Sequence, residues 1–155
     1  MKQTTLCLIH QDGKVLLGMK KRGFGQGRWN GFGGKLNPEE TIEQAAKREL
    51  KEESGIHAHE IEKKGIIKFE FQENEENIEM HIFHVTKFEG EPIETEEMKP
   101  QWFEQEKIPY KEMWSDDKLW IPLFLDGKKF KGNFLFGTEE TNNMIKSELV
   151  EVMEL

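Results

Sequence analysis

Three observations predict that this sequence folds as a single mixed α/β domain. Strand-length apolar runs recur along it, separated by Gly, Pro and acidic turn signals. One stretch, 41–55, carries both the start and the stop signal of an amphipathic helix. The chain has 155 residues, 35% of them hydrophobic and 10% aromatic, the size of one domain with enough bulk for a core. It shows no internal repeat, low-complexity tract or composition break, so one domain over 1–155 is expected.

Taken in order, residues 4–10 and 14–20 are apolar runs joined by Gln11-Asp12-Gly13-Lys14. Asp-Gly at that place predicts a hairpin, because Gly accepts the positive φ of a tight turn. Six of the 14 glycines fall within 23–34, a loop that also holds Phe24, Arg28, Trp29, Asn30 and Phe32. Thr41-Ile42-Glu43-Gln44 has capping-box spacing and opens a helix that Gly55 closes. Strands are predicted at 65–71 and 79–88, on either side of a polar tip at 72–77. The acidic stretch 89–98 reads as a surface loop and 100–104 as a short strand. Ser115 is the expected cap of a second helix reaching about Leu125, with Asp116 and Asp117 in its first turn and Pro122 kinking or shortening it. Residues 129–136 and 144–152 read as closing strands.

Composition excludes several classes of function. With 30 acidic against 22 basic residues the formal charge is -8, which repels nucleic-acid backbones and argues against a sequence-tolerant binder of DNA or RNA. Cys7 is the sole cysteine, so neither an intrachain disulfide nor a cysteine-based zinc site is possible. The first ten residues are too short an apolar run for a signal peptide, and no stretch is apolar enough to cross a membrane. A soluble protein of a reducing compartment, the cytoplasm, is expected.

The helix at 42–54 is where chemistry first shows. Ile42, Ala45, Ala46 and Leu50 form its apolar stripe, and at about 100° per residue Glu49 and Glu53 fall inside that stripe. Glu52 lies at the edge, while Gln44, Lys47 and Lys51 face away. Carboxylates three and four residues apart repel one another, and burial without partners raises their pKa. One guanidinium, Arg48, does not neutralise them all. A hard divalent cation does, since Mg²⁺ selects oxygen ligands and keeps positions open for phosphates. Other phosphate motifs fail: Trp29 stands where a P-loop needs Gly, Leu36 follows Lys35 where it needs Ser or Thr, and 23–27 lacks the dinucleotide spacing. His57 and His59 form a His-x-His, and His81 and His84 lie three apart. These read as surface or core histidines rather than zinc ligands.

The same segment resembles the signature of the Nudix family. Gly34, Glu40, Arg48-Glu49-Leu50, Glu52-Glu53 and Gly55-Ile56 match it at nine specified positions over 23 residues. The likeness continues through Val15–Gly25, Gly27–Lys35, Glu97-Met98, Pro100, Trp102-Phe103, Trp114, Asp116-Asp117, Phe130 and Gly132. There it is similar to the MutT-homologue branch, whose members hydrolyse oxidised purine nucleoside triphosphates. The resemblance implies a mixed β-sheet sandwiched between α-helices. It implies a Mg²⁺ site, with Mn²⁺ as the substitute ion, built from the Gly33 carbonyl, Glu49, Glu52, Glu53 and Glu97, with Arg48 and Glu40 paired inside the motif. It implies a base pocket of Thr5, Phe24, Asn30, Phe69, Phe71, Trp114, Asp116 and Asp117, with Lys20 close by. Ile78 departs from the family, where close relatives place Met against the base, as do the acidic tip Glu73–Glu76 and the last residues, Met153–Leu155.

Physical chemistry supports the pocket independently. Adjacent buried aspartates tend to hold one proton between them, so one donates while the other accepts. Asn30 offers a donor and an acceptor, and Trp114 a stacking face. The expected activity is Mg²⁺-dependent hydrolysis of oxidised purine nucleoside triphosphates to monophosphate and pyrophosphate. The leading substrate is 8-oxo-dGTP, followed by 2-hydroxy-dATP. Glu53 is the first choice for general base and Glu97 the second. The expected partner is a small-molecule nucleotide, on a monomer that engages neither nucleic acid nor membrane. The alternatives are another nucleoside diphosphate derivative as substrate (dinucleoside polyphosphate, capped RNA, nucleotide sugar) or a Nudix-fold binding module without catalysis.

Overall fold

The first hairpin organises everything after it. In this computed structural model, which describes residues 1–73, 76–138 and 143–155, strands β1 (Lys2–Gln11) and β2 (Lys14–Lys20) pair from Gln11↔Lys14 to Ile9↔Leu16. Asp12 and Gly13 both take positive φ, 52° and 73°, the pair of values that a type I′ hairpin turn requires. Beyond Ile9 the two strands part, and the glycine-rich segment fills the opening. Its Trp29–Asn30, strand β3, pairs with β2, while Phe32 exchanges backbone hydrogen bonds with Cys7 of β1 and the Gly34 carbonyl accepts from Thr5 N–H.

The remaining elements follow the predicted order. They are helix α1 (Ile42–Ser54), β4 (His57–Phe71), β5 (Asn77–Glu89), β6 (Met98–Glu104), helix α2 (Asp117–Leu125), β7 (Lys129–Phe136) and β8 (Met144–Val152). The sheet runs β3-β2-β1-β5-β4-β7-β8, with β6 on the far edge of β2. Pairs β1–β5 and β4–β7 are parallel and the others antiparallel, so the sheet is mixed.

Helices cover both faces of that sheet. Leu6, Leu8, Val15, Leu17, Ile82 and Phe130 pack with Trp120, Ile121 and Phe124 of α2. Cys7, Ile9, Leu16, Phe83 and Val85 pack with Ala46 and Leu50 of α1. A strand buried on both faces reads as a continuous apolar run rather than an alternation, which is what β1 shows. The expected sheet between helices is the observed one.

Two local expectations fail. Strand β4 begins at His57 rather than Gly65, because its first half is exposed on one face and broken by register shifts near Ala58/Glu60 and Lys63/Gly65, which erase the period-2 signal. Helix α2 begins two residues after Ser115, with Asp116 at the cap position, already in helical conformation and giving no side-chain cap. The chain is in a turn by then, with Asp117 N–H donating to the Trp114 carbonyl at 3.1 Å. Pro122 lies inside this short helix, which ends at Leu125. Part of the acidic tip, 74–75, lies outside the described residues.

Helix α1 is bounded as its sequence predicts. Thr41 Oγ1 accepts from Gln44 N–H (3.1 Å), Gln44 Oε1 accepts from Thr41 N–H (2.9 Å), and Gly55 closes the helix at φ 80°. Thr41→Ala removes half of that reciprocal cap at an exposed site. Urea denaturation should show a loss of about 1 kcal/mol with an unchanged m-value.

Candidate active site

Burial of Ala46 and Leu50 against the sheet fixes the roll of α1, and that roll aims Glu49 and Glu53 at the segment 31–35. Glu53 is 4% exposed, and its Oε1 accepts from Gly33 N–H at 2.8 Å. A Cβ at Gly33 would fall inside the Thr5 carbonyl, so only glycine there lets this segment lie on β1; one at Gly34 would stand 2.8 Å from the Glu49 carboxylate, which would have to turn aside. Glu49 is half-buried and Glu52 exposed.

Cations already occupy these acids. Arg48 donates to Glu40 through Nε (2.7 Å) and Nη2 (2.9 Å), and through Nη1 to Glu49 (2.9 Å) and Glu52 (3.2 Å). The Arg48–Glu40 ion pair expected inside the motif is therefore present. The Lys20 ammonium lies 3.6 Å from Glu53 Oε2 and 3.2 Å from Glu97 Oε2, bridging the helix to the acidic loop. Arg22 donates to Glu97 Oε1 at 2.6 and 2.9 Å and holds that carboxyl below the usual carboxylate range. Glu53 goes the other way: burial pushes its carboxyl up to about 7, with Glu49 adding to the rise while Lys20 and Gly33 N–H oppose it.

This donor set fits a hard divalent cation. It offers oxygen atoms only, and its innermost carboxylate is costly to ionise unaided. Glu49, Glu52, Glu53 and Glu97 do not converge on one point while Arg48, Lys20 and Arg22 hold them. Among the described residues, the three-residue group whose ligand atoms do converge is His57, His59 and Glu89.

Beside Glu53 opens a cavity of about 460 Å³. Every residue expected to touch the base lines it: Thr5, Lys20, Phe24, Asn30, Phe69, Phe71, Ile78, Trp114, Asp116 and Asp117. Gly33 and Glu53 line it too, whereas Glu49, Glu52 and Glu97 lie outside its wall. Thr5 Oγ1, Asp116 Oδ1 and Asp117 Oδ2 are buried without a hydrogen-bond partner. The other Asp116 oxygen accepts from Trp120 Nε1 at 2.9 Å. Burial drives both aspartates above the ordinary range, and for Asp117 the Asp116 charge adds to it. Asn30 Oδ1 accepts from Gly31 N–H at 2.9 Å, which leaves its NH₂ and the second lone pair of that oxygen for a ligand.

Trp114 is not bare. Phe24 stacks on it at 5.1 Å and 20°, and the Arg28 guanidinium lies 4.1 Å from its centroid. Sequence reasoning missed Leu6, Met80, Met98 and Phe136 in the lining, and Lys2, Lys35 and Glu76 as well. Phe136 had a usable signal, since it shares the buried face of β7 with Phe130 and Phe134. The others are scattered over β1, β5, β6 and positions 35 and 76, with no spacing rule to link them.

The chain belongs to the NUDIX domain family, whose model matches residues 2–124. More particularly, it is 53% identical over 154 residues to the oxidized purine nucleoside triphosphate hydrolase of Danio rerio, an alignment covering 99% of this chain and 97% of that protein. The Mus musculus protein of the same name is 53% identical over 137 residues, 88% of each chain. Among solved structures, a mutator MutT protein from Bacillus halodurans superposes with TM-score 0.85 at 26% identity, covering 96% of this chain and 97% of that one. Nudix hydrolases generally use divalent metal ions.

The aspartate pair makes stability depend on pH. An acid whose folded pKa lies above its unfolded value is neutral in both states at low pH, and its contribution to stability falls as pH climbs through the gap. The ligand-free protein should therefore lose stability from this pair as pH rises above about 4. The loss is about 1.4 kcal/mol for each pH step over which the folded acid keeps a proton that the unfolded chain has released. Thermal melts from pH 4 to 8 test this: Asp117→Asn should flatten the decline relative to wild type. Superimposable profiles would reject a buried, proton-sharing pair.

Proposed function

We propose that this protein hydrolyses oxidised purine nucleoside triphosphates, 8-oxo-dGTP foremost and 2-hydroxy-dATP next, to the monophosphate and pyrophosphate. The observation carrying this reading is the buried Asp116–Asp117 pair, its unpaired oxygens beside the same cavity as Glu53. The activity named for the Danio rerio and Mus musculus relatives supports it. The base would lie among Phe69, Phe71, Ile78 and Trp114, with Asp116, Asp117, Asn30 and Thr5 reading its polar edge. Phe24 either shares the stacking on Trp114 or gives way to the base.

Glu49, Glu52, Glu53 and the Gly33 carbonyl, with Glu97, would hold Mg²⁺, for which Mn²⁺ substitutes. When bound, the ion neutralises phosphate oxygens and acidifies a coordinated water. Lys20, between Glu53 and Glu97, would be placed to meet a phosphate if those carboxylates held an ion. Glu53 is the group we assign to accept the water's proton, with Glu97 the second choice. The proposal includes a cytoplasmic monomer of one domain over 1–155 that engages neither nucleic acid nor membrane. Among the described residues no helix is long and apolar enough to cross one.

Steady-state kinetics on canonical and oxidised purine triphosphates, with and without Mg²⁺, test the reading. Preference for capped RNA, dinucleoside polyphosphates or nucleotide sugars would replace it, and absence of all hydrolysis would leave a binding module. Glu53→Gln should cut turnover by about 10²–10⁴. Because it also removes one of several repelling carboxylates, the metal-free variant should melt no lower than wild type.

Asp116→Asn and Asp117→Asn should change the kcat/KM ratio between oxidised and canonical purines by roughly 5- to 150-fold, since each leaves a mismatched polar edge worth about 1–3 kcal/mol. An equal loss on every nucleotide would make the aspartates merely structural.

A further inference from the structure

The His57–His59–Glu89 group lies where β4 starts and β5 ends, beyond the C-terminus of α1, and plays no part in the proposed hydrolysis. His57 and His59 are two apart on one strand, which puts them on one face. His57 stands in register opposite Glu89. The ladder skips His59, which sits at a bulge, and bulges re-aim side chains. The result is a tight group. His59 Nε2 is 3.1 Å from Glu89 Oε1, the imidazole centroids are 4.8 Å apart at 68°, and one ligand atom from each residue lies within 4.8 Å of the others.

From this geometry we propose that His57, His59 and Glu89 bind a zinc-class divalent ion, with water completing the shell. Two imidazoles and one carboxylate select borderline metals such as Zn²⁺ over Mg²⁺, which takes oxygen ligands and is the ion proposed for the α1 glutamates. Metal–ligand bonds of about 2.0–2.2 Å bring tetrahedral ligand atoms to about 3–3.5 Å from one another. The His59–Glu89 contact already meets that spacing, and the exposed side chains need only rotate to bring His57 to it. The backbone beneath is anchored. Lys47 Nζ on α1 donates to the His59 carbonyl at 3.3 Å, and the loop following Glu89 is hydrogen-bonded to α1 through Ile93 N–H to Ser54 O (2.8 Å) and Thr95 Oγ1 to Glu53 O (3.0 Å). An ion here would tie the root of the loop carrying Glu97 to the first residues of β4. The inference is independent of the substrate reading.

The test is Zn²⁺ titration of the full chain in excess Mg²⁺, read by calorimetry, by melting temperature and by the imidazole resonances of the five histidines. The expected result is one Zn²⁺ equivalent that shifts the His57 and His59 resonances, leaves those of His10, His81 and His84 in place, and raises the melting temperature. Affinity should fall at least about tenfold in His57→Gln, His59→Gln and Glu89→Gln alike, with the melting shift lost. Undiminished affinity in any of these variants, or a first response at His10 and His84, would overturn the site. Turnover in Mg²⁺ should be the same for wild type and the histidine variants, which separates loss of this site from failure of the fold.

Discussion

One close approach governs this molecule: the backbone of Phe32–Gly34 lies directly on β1, with Cys7 and Phe32 exchanging hydrogen bonds and Thr5 N–H donating to Gly34 O. There is no space between the segments for a side chain at Gly33. The approach exists because β1 and β2 separate after Ile9 and something must satisfy the freed edge of β1. What satisfies it also builds the site. On one side the segment presents Gly33 N–H to Glu53 and Gly34 to Glu49; on the other, Asn30, Gly31 and Thr5 wall the cavity. The acidic helix and the cavity thus share one strip of backbone, which fixes their spacing.

Electrostatics then decides the resting arrangement. A cluster of carboxylates beside a buried cavity is unstable alone, so the ligand-free chain distributes them over Arg48, Lys20 and Arg22. The distribution is uneven. Glu40 has a two-pronged partner and an additional N–H from Asn37, and lies below the usual carboxylate range. Glu53 has one N–H and a lysine at 3.6 Å, with burial against it. Of the site's carboxylates, Glu53 is thus the least compensated and the best shielded from water, with Lys20 its one cationic neighbour among the described residues.

The helix bearing these acids was legible residue by residue, because its capping box, apolar stripe and closing glycine are all local signals. The hairpin was legible for the same reason. The start of β4 was hidden, since bulges break its alternation, and α2 starts one residue later than a Ser115 cap implies because Asp117 N–H is already turned onto the Trp114 carbonyl. The cavity is a different kind of object. Thr5, Asn30, Phe69, Ile78 and Trp114 come from β1, β3, β4, β5 and the turn before α2, and no spacing rule links them. Family resemblance singles them out, and the structure supplies the physical reason they meet. Glu89 shows the same limit: His57 and His59 were visible as a pair, but their third neighbour lies 30 residues on and is found only through strand register.

The cavity's polar groups explain why such a pocket is held open at a cost. Three buried oxygens, on Thr5, Asp116 and Asp117, have no partner among the protein's own donors and acceptors, and each unsatisfied buried group costs about 1–3 kcal/mol. A ligand whose edge supplies what the wall lacks would meet those oxygens. Because Trp120 already occupies one Asp116 oxygen and the pair favours holding a proton, the wall presents a specific mixture of donor and acceptor rather than a diffuse negative charge. A base that matches both is favoured twice, by its own hydrogen bonds and by relief of the orphaned oxygens. A base that mismatches leaves both sides desolvated and unpaired. Under the proposed function, discrimination between purines would rest on how well a base matches that mixture, while the apolar packing of Trp120, Phe130 and Phe134 supplies stability that offsets the buried polar groups.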